Sequence, residues 1–236
     1  MSRRAVILAG GKGTRLQPYT FVLPKPLMPI GDQPILEIII RQLSRSGFNH
    51  ITLAVNHQAE LIKAYFGDGS RWNLLIDYSL ETAPMGTMGP LKLIPDLPDH
   101  FLIMNGDVLA DLSFQDFFDG HQEKNRLFSI SSYVRQNEID YGVLSTQNNV
   151  LTGFEEKPSA TYEVSMGIYM ASRRILDNIP ISKNYGFDSL MTDLLNQGKD
   201  VTVLPHEGYW LDIGRRDDYL QAIQEYDDLK SILLDE

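Results

Sequence analysis

The sequence predicts an α/β fold built on a mostly parallel, partly mixed sheet flanked by helices, and three observations predict it. Short runs rich in Val, Ile and Leu at 4–9, 50–55, 73–78 and 101–105 alternate with helix-like segments over the first 110 residues. The intervening spacing suits β–α–β crossovers, which place consecutive strands side by side and parallel. From about 127 the texture changes to closely spaced β-like segments, so part of the sheet is expected to pair antiparallel.

Each element has a local reason. Residues 34–46 read as a helix: Pro34 suits a first turn, Ile35, Leu36, Ile39, Ile40 and Leu43 share one stripe, and Gly47 stops it. A second helix spans 57–66 and ends at Gly67, with His57 expected to cap or line it. In the second half, 127–134, 141–146, 149–155 and 163–171 are β-like, with Asn148-Asn149 as a tight turn. Helices near 172–178 and 187–197, a strand at 201–204 and an amphipathic helix from about 216 to 233 complete the reading. There is no internal repeat and no low-complexity linker, so residues 1–236 are expected to form one domain with sub-regions of about 1–126 and 127–236.

Composition excludes several classes. An apolar share of 43% and a charged share of 22% fit a soluble globular chain. No apolar run approaches the ~18–20 residues of a membrane span. The Arg3-Arg4 pair leads into only five apolar residues before the glycines, so no signal peptide is expected. The lack of cysteine excludes disulfides, thiolate metal sites and cysteine nucleophiles, and suits a cytoplasmic location. A formal charge of −10 argues against a nucleic-acid partner but leaves room for a small anion on a local basic patch.

Such a patch exists. Before Asp32 the chain carries Arg3, Arg4, Lys12, Arg15 and Lys25 and no acidic residue. Strand 4–9 empties into Gly10-Gly11-Lys12-Gly13-Thr14-Arg15, at the strand end where ligands of parallel sheets bind. The loop is neither a Walker loop nor a dinucleotide fingerprint. Alone it serves equally as a tight βα turn. With Arg15 to fork phosphate oxygens and Lys25 held extended between two prolines as a point charge, it suits a polyphosphate.

Two carboxylates complete the pattern. Asp107 follows the apolar strand 101–104 and Asn105-Gly106, and Asp212 sits in Gly208-Tyr209-Trp210-Leu211-Asp212-Ile213-Gly214. Either alone could be a cap. Together, beside a phosphate-binding loop, they fit Mg²⁺, which takes one or two carboxylates plus phosphate oxygens. Glu156-Lys157-Pro158 could hold a phosphate and a sugar hydroxyl or form a solvated ion pair, and the five histidines show no metal spacing.

In this order the pieces resemble the sugar-1-phosphate nucleotidylyltransferases, closest in flavour to the mannose-1-phosphate guanylyltransferases. The resemblance spans roughly residues 4 to 222. It rests on Leu8-Ala9-Gly10-Gly11-Lys12-Gly13-Thr14-Arg15-Leu16 with Leu23-Pro24-Lys25-Pro26-Leu27, then on Pro84-Met85-Gly86-Thr87-Met88-Gly89-Pro90, Gly106-Asp107, Tyr141-Gly142-Val143, Glu156-Lys157-Pro158 and Trp210-Leu211-Asp212-Ile213-Gly214. It implies a Rossmann-like sheet of the glycosyltransferase-A type. The first sub-region would bind nucleotide and the second sugar phosphate. Arg15 and Lys25 are implied as catalytic. Leu8, Ala9, Gly10, Gly11, Gly13, Thr14, Glu81, Pro84, Gly86, Thr87, Asn105 and Gly106 would hold the nucleotide, and Gly142, Glu156, Lys157, Ser165, Gly167 and Trp210 the sugar phosphate. Asp107 and Asp212 would carry Mg²⁺. The implied partners are a nucleoside triphosphate and a sugar 1-phosphate, in a homo-oligomer (dimer or tetramer).

Three departures stand out. Ser165-Met166-Gly167 replaces a common Asn-Ala-Gly, Met88 replaces a small residue in the base-binding segment, and the β-helix extension of many relatives is not expected. Glu81 offers guanine a carboxylate for its adjacent donors, which favours GTP and leaves UTP, CTP, dTTP and ATP as alternatives. Two rivals differ in class. A glycosyltransferase would carry an Asp-x-Asp motif, which Asp107-Val108-Leu109 lacks, and a non-catalytic regulatory subunit would lose a loop cation, whereas Arg15 and Lys25 are both present.

Overall fold

An unbroken apolar run suits a strand covered on both faces, and Ala5, Val6 and Ile7 are wholly buried near the middle of a seven-stranded sheet. The structure, a computed structural model, describes residues 3–56, 58–181 and 184–234. Its strands are β1 (Arg4–Leu8), β2 (Pro29–Ile30), β3 (Gln33–Pro34), β4 (His50–Val55), β5 (Leu75–Leu80), β6 (His100–Asn105) and β7 (Val108–Ala110). They continue as β8 (Phe128–Glu138), β9 (Val143–Gln147), β10 (Val150–Glu155), β11 (Ser159–Ser172), β12 (Val201–His206) and β13 (Trp210–Asp212). The α-helices are α1 (Ile35–Arg45), α2 (Ala59–Phe66), α3 (Phe114–Glu123), α4 (Phe187–Asn196) and α5 (Arg216–Leu234).

The main sheet runs β12-β8-β11-β6-β1-β4-β5. Only β11 is antiparallel to its neighbours, and every other pair is parallel, as the mixed-sheet expectation required. Alternation along β6 sends Leu102 and Met104 into one core cluster with the α1 stripe, and Phe101 and Ile103 into another with Leu190 and Leu194 of α4. Helices therefore cover both faces.

Several elements differ from expectation, each for a local reason. The third strand begins at Leu75 rather than 73, because Asn73 takes a left-handed conformation (φ 57°) that closes a 3-10 turn. Pro34 lies just before α1 as its extended N-cap and pairs with Pro29 instead of opening the helix. The segment 173–178 is 3-10 rather than α-helical. Helix α3 has no counterpart among the expected elements. It starts at a Ser113 cap whose hydroxyl accepts the Asp116 N–H at 3.3 Å, and it buries Phe114, Phe117 and Phe118. Asn148 and Asn149 both have positive φ and join β9 to β10 as a tight turn. His57 lies outside the described residues.

Beyond the core, β8 and β11 run on as a paired arm, from Val134–Glu138 against Ser159–Glu163, capped by the exposed β9–β10 hairpin. At its root Tyr133 packs against Trp210, with ring centroids 5.3 Å apart and the planes tilted by 40°, which ties the arm to β13. That strand pairs antiparallel with β7. The β7–β13 ladder positions the candidate site.

Candidate functional site

Leu8 and Asn105 are register partners at the carboxyl ends of β1 and β6, so the glycine loop and the Gly106-Asp107 turn leave the sheet side by side. The Gly106 N–H donates to Leu8 O at 3.0 Å and fastens the two turns together. Across the β7–β13 ladder Asp212 opposes Val108, and the Ile213 N–H donates to the Asp107 carbonyl at 3.0 Å. Two aspartates more than a hundred positions apart are thereby held as neighbours.

Two cations join them. The Lys25 ammonium is buried and bonds Asp107 Oδ2. Arg15 stands beside Asp212 over Gly214. The Asp212 carboxyl is pushed up from its ordinary value, first by burial and then by the Asp107 charge, while Lys25 and Arg15 pull it down. Lys25 does not lie in extended backbone. It opens a 3-10 turn closed by Leu27 N–H to Pro24 O at 2.8 Å, and only Pro24 before it is extended. Arg3 and Arg4 do not belong to the patch. Arg4 is buried among Thr52, Asp77 and Asp96 at the far end of β1, and Arg3 bonds Ser46 and Asp119.

Two cavities meet this cluster, one at Asp107 and one at Asp212. One, of about 510 Å³, is lined by Leu8, Gly10, Gly11, Glu81, Pro84, Gly86, Thr87 and Asn105, and it ends at Asp107. Of the expected nucleotide residues, Ala9, Gly13, Thr14 and Gly106 do not line it. Ala9 is buried, bonding Ala54 O through its N–H. Lys12 of the basic loop and Met85 and Pro90 of the 84–90 motif also line it, and Asn56 lines it unforeseen. Asn56 follows β4 at its carboxyl end, so the strand-end rule that found the glycine loop also points to it. Met88 turns away into the core with Leu91, so its bulk does not reach the cavity.

Glu81 is the buried carboxylate of this cavity. Its Oε2 accepts the Met85 N–H at 3.3 Å. Burial raises its pKa above the ordinary carboxylate value, and that hydrogen bond opposes the rise. A Cβ at Gly10 would stand 2.8 Å from Glu81 Oε1, so a larger residue there would push the Glu81 carboxylate aside. The 84–89 segment is held by α4: the Phe187 N–H donates to Thr87 Oγ1 at 2.8 Å, and the Met88 N–H to Tyr185 O at 3.0 Å.

The second cavity, of about 360 Å³, is lined by Arg15, Arg135, Asn137, Tyr162, Asp212, Gly214, Arg215 and Asp218. None of the expected sugar-phosphate residues lines it. Gly142, Glu156 and Lys157 are exposed on the arm and line neither cavity, although Gly142 and Glu156 adjoin one another. Ser165 bonds Tyr169 and Gly167, and Trp210 Nε1 donates to Met166 O at 3.0 Å. Gly167 stands against Asn105.

Among the described residues no group of three or more His, Asp or Glu could hold a metal by itself. The donor set is the Asp107–Asp212 pair, which suits a cation that completes its sphere with phosphate and water oxygens.

A family model described as nucleotidyl transferase matches residues 4–228. The chain belongs to that family. It is 35% identical over 243 residues to a UTP–glucose-1-phosphate uridylyltransferase of Synechocystis, covering 94% of this chain and 62% of the relative. It is 31% identical over 238 residues to a mannose-1-phosphate guanyltransferase of Debaryomyces hansenii, covering 94% and 64%. The chain thus spans less than two thirds of the length of these relatives. Among solved structures, HddC from Yersinia pseudotuberculosis superposes with a TM-score of 0.74 at 26% identity, over 95% of this chain and 99% of that one. HddC has also been solved with GMP-PN. The nucleotidyl transferase fold accounts for the sheet order and for the meeting of β1, β6 and β13 at one place.

Proposed function

We propose that this chain is an enzyme that transfers a nucleoside monophosphate from a nucleoside triphosphate, GTP in the first instance, to a sugar 1-phosphate, giving a nucleoside diphosphate sugar and pyrophosphate. The observation that carries this reading is the position of Asp107 and Asp212. They stand side by side where two cavities meet, with Lys25 and Arg15 against them. Two anions that must meet need that arrangement.

In the reaction an oxygen of the sugar phosphate attacks the α-phosphorus in line. The new O–P bond forms as the bond to the β-phosphate oxygen breaks, and the electron pair leaves with pyrophosphate. A phosphate monoester has a second pKa of about 6, so its oxygen is already anionic at neutral pH and no side-chain base is needed. The protein's work is positioning and charge stabilisation. Lys25 and Arg15 sit where charge develops on the pyrophosphate side, and the glycine loop presents backbone to the triphosphate. Asp107 and Asp212 would hold Mg²⁺. Bound there, the ion supplies positive charge to the phosphate oxygens.

Glu81 supports guanine as the base. A carboxylate accepts from two adjacent donors, and guanine's N1–H and amino group supply them, whereas uracil offers one N–H between two carbonyls. The complex of HddC with GMP-PN agrees with this choice. The likeness to the Synechocystis uridylyltransferase keeps UTP as the second reading. No helix among the described residues is long and apolar enough to cross a membrane, and a chain without cysteine suits the cytoplasm.

The test is pyrophosphate release across five nucleoside triphosphates and several sugar 1-phosphates with Mg²⁺. Release that requires both substrates and is fastest with GTP is expected. Preference for UTP would move the base assignment, and nucleotide binding without release would favour a regulatory subunit.

A further inference from the structure

The geometry points to a second anion site at the far end of the sheet, which takes a small phosphorylated effector and acts on the nucleotide cavity through α4. A cavity of about 960 Å³ lies there. It opens where β8 and β12 begin and β11 ends, and the pairing of Ser172 with His100 puts the start of β6 at that same end. Asp107 follows the other end of β6, so roughly 20 Å of strand, at about 3.3 Å per residue, separates the two places.

Four cations from three parts of the chain line this cavity. Lys124 and Arg126 come from the link between α3 and β8, Arg174 from the 3-10 turn after β11, and Lys199 from the link between α4 and β12. Among the described residues the side chains of Lys124, Arg126 and Lys199 make no hydrogen bond or ion pair, although Asp177 and Asp200 also line the cavity. Arg174 is fixed by neutral groups alone: Nε donates to Ser172 Oγ at 3.0 Å and Nη2 to Asn125 O at 3.0 Å. Its guanidinium is therefore oriented while its charge stays uncompensated. Four cations against two carboxylates leave the lining net positive, in a chain of formal charge −10. The surplus reaches the interior, where desolvation first and then the charges of His100, Arg126 and Arg174 hold the His121 pKa down at about 4.

A phosphate group meets these cations through forks from the two arginines and point charges from the two lysines. Asp177, Asp200 and Thr202 can bond hydroxyls, so the ligand class is a phosphorylated, hydroxyl-bearing small molecule, and the volume admits one. Two carboxylates in the lining, within an acidic chain, count against a nucleic acid.

Helix α4 joins this cavity to the other. At its carboxyl end the Lys199 N–H donates to Leu194 O at 2.9 Å, and Gln197 Oε1 accepts Asn178 Nδ2 at 2.8 Å. At its amino end the Phe187 N–H holds Thr87, which lines the nucleotide cavity. Ten residues of helix span about 15 Å, and Leu190 and Leu194 seat them on the sheet. An anion that draws Lys199 toward Arg126 and Arg174 loads one end of that helix, and Thr87 feels the other.

Titration of the full chain with inorganic phosphate, ribose 5-phosphate and glucose 6-phosphate, none of them a sugar 1-phosphate, tests the site without reference to the transferase reading. Amide NMR signals of Asn125, Gln197 and Lys199 should shift with at least one of them. Arg126→Gln combined with Lys199→Gln should weaken that binding roughly tenfold or more, the scale of a lost charge-assisted hydrogen bond. Shifts confined to Gly10, Gly11 and Gly13 would give the phosphate to the glycine loop and overturn the assignment, as would binding by none of the three. Oligonucleotide binding at these residues where the small phosphates fail would give the cavity to nucleic acid instead. The effect on the triphosphate rests on the transferase reading. The bound phosphate should change KM for the nucleoside triphosphate about fivefold or more, the lower end of ordinary coupling, and the double variant should lose that response while keeping its basal kcat and KM. Binding at the cavity with an unmoved KM would overturn the effector role. Should no substrate pair release pyrophosphate, the transferase reading fails on its own, and the NMR titration still decides the site.

Discussion

Burial holds the Glu81 carboxyl above its ordinary range, and the choice of base should inherit that pH dependence. Guanine needs the ionised form as a double acceptor. Acidification through the raised pKa turns one oxygen into a donor, so preference for GTP over ATP should fall as pH falls. Glu81→Gln should remove that dependence and reduce the preference roughly tenfold or more, the scale of a lost bidentate base contact. Measuring kcat/KM for both nucleotides across pH decides it; a flat ratio in the unaltered enzyme would separate Glu81 from base choice. At Lys25 the ammonium already bonds Asp107, and Arg15 stands against Asp212. Lys25→Ala or Arg15→Ala should lower turnover by about 10²-fold, the cost of one preorganised donor. Near-normal pyrophosphate release in either variant would contradict the assignment. The glycine loop and both aspartates are legible residue by residue, because each follows a strand end or lies inside a short motif, while Glu81 comes from the resemblance alone. Arg135 and Tyr162 are not, since only the register of β8 on β11 brings them to Asp212.

Elements carry the next set of constraints. Strand β11 breaks register between Ser165 and Tyr169, and in that bulge Gly167 adopts φ 76° with its Cα turned to Asn105. A Cβ there would stand 2.6 Å from Asn105 Nδ2. Gly198 has a comparable φ of 62° but open space around it. Gly198→Ala should therefore cost only the backbone strain, about 1 kcal/mol, while Gly167→Ala should cost up to about 3 kcal/mol. Because Asn105 lines the nucleotide cavity, Gly167→Ala should also raise KM for the triphosphate. Urea unfolding with kinetics on both variants checks the pair, and equal effects would mean that the bulge does not support the site. The bulge was invisible in the sequence, where 163–171 reads as an ordinary strand. Helix α3 escaped for a different reason. Its signal is a Ser113 cap and three phenylalanines, while Gly120 and six polar or charged residues dilute the apolar stripe. The β9–β10 turn was legible, since paired asparagines tolerate positive φ.

At the scale of the whole molecule, the sheet divides labour between its ends. The candidate site lies at the carboxyl ends of β1 and β6, while the opposite end holds a pair of histidines, half-buried His100 and buried His121, with rings 5.1 Å apart. His121 is fully buried, and its pKa is lowered to about 4, first by desolvation and then by the charges of His100, Arg126 and Arg174. Its Nδ1 lies 2.8 Å from Ser129 Oγ, and Nε2 has no partner, so a proton added there would be stranded. The unfolded chain takes up that proton near pH 6.5 and the folded chain only near pH 4. Stability is therefore complete above pH 6.5 and lost as pH falls toward about 4, by at most about 3 kcal/mol. Urea unfolding across that window should show the slope, and His121→Phe should flatten it; an unchanged slope would place the acid sensitivity elsewhere.

The parallel half of the fold was readable because each strand is an apolar run bounded by glycine or polar turns. The arm was read only as separate β segments, because its length depends on pairing between residues that sit apart in the chain. The most direct measurement is phosphorus NMR of the protein with GTP, a sugar 1-phosphate and Mg²⁺. The α-phosphorus of GTP and the sugar phosphorus should move together into one new diphosphate, with equimolar pyrophosphate. Unchanged spectra, or GTP hydrolysed to GDP and phosphate with the sugar phosphate untouched, would contradict it.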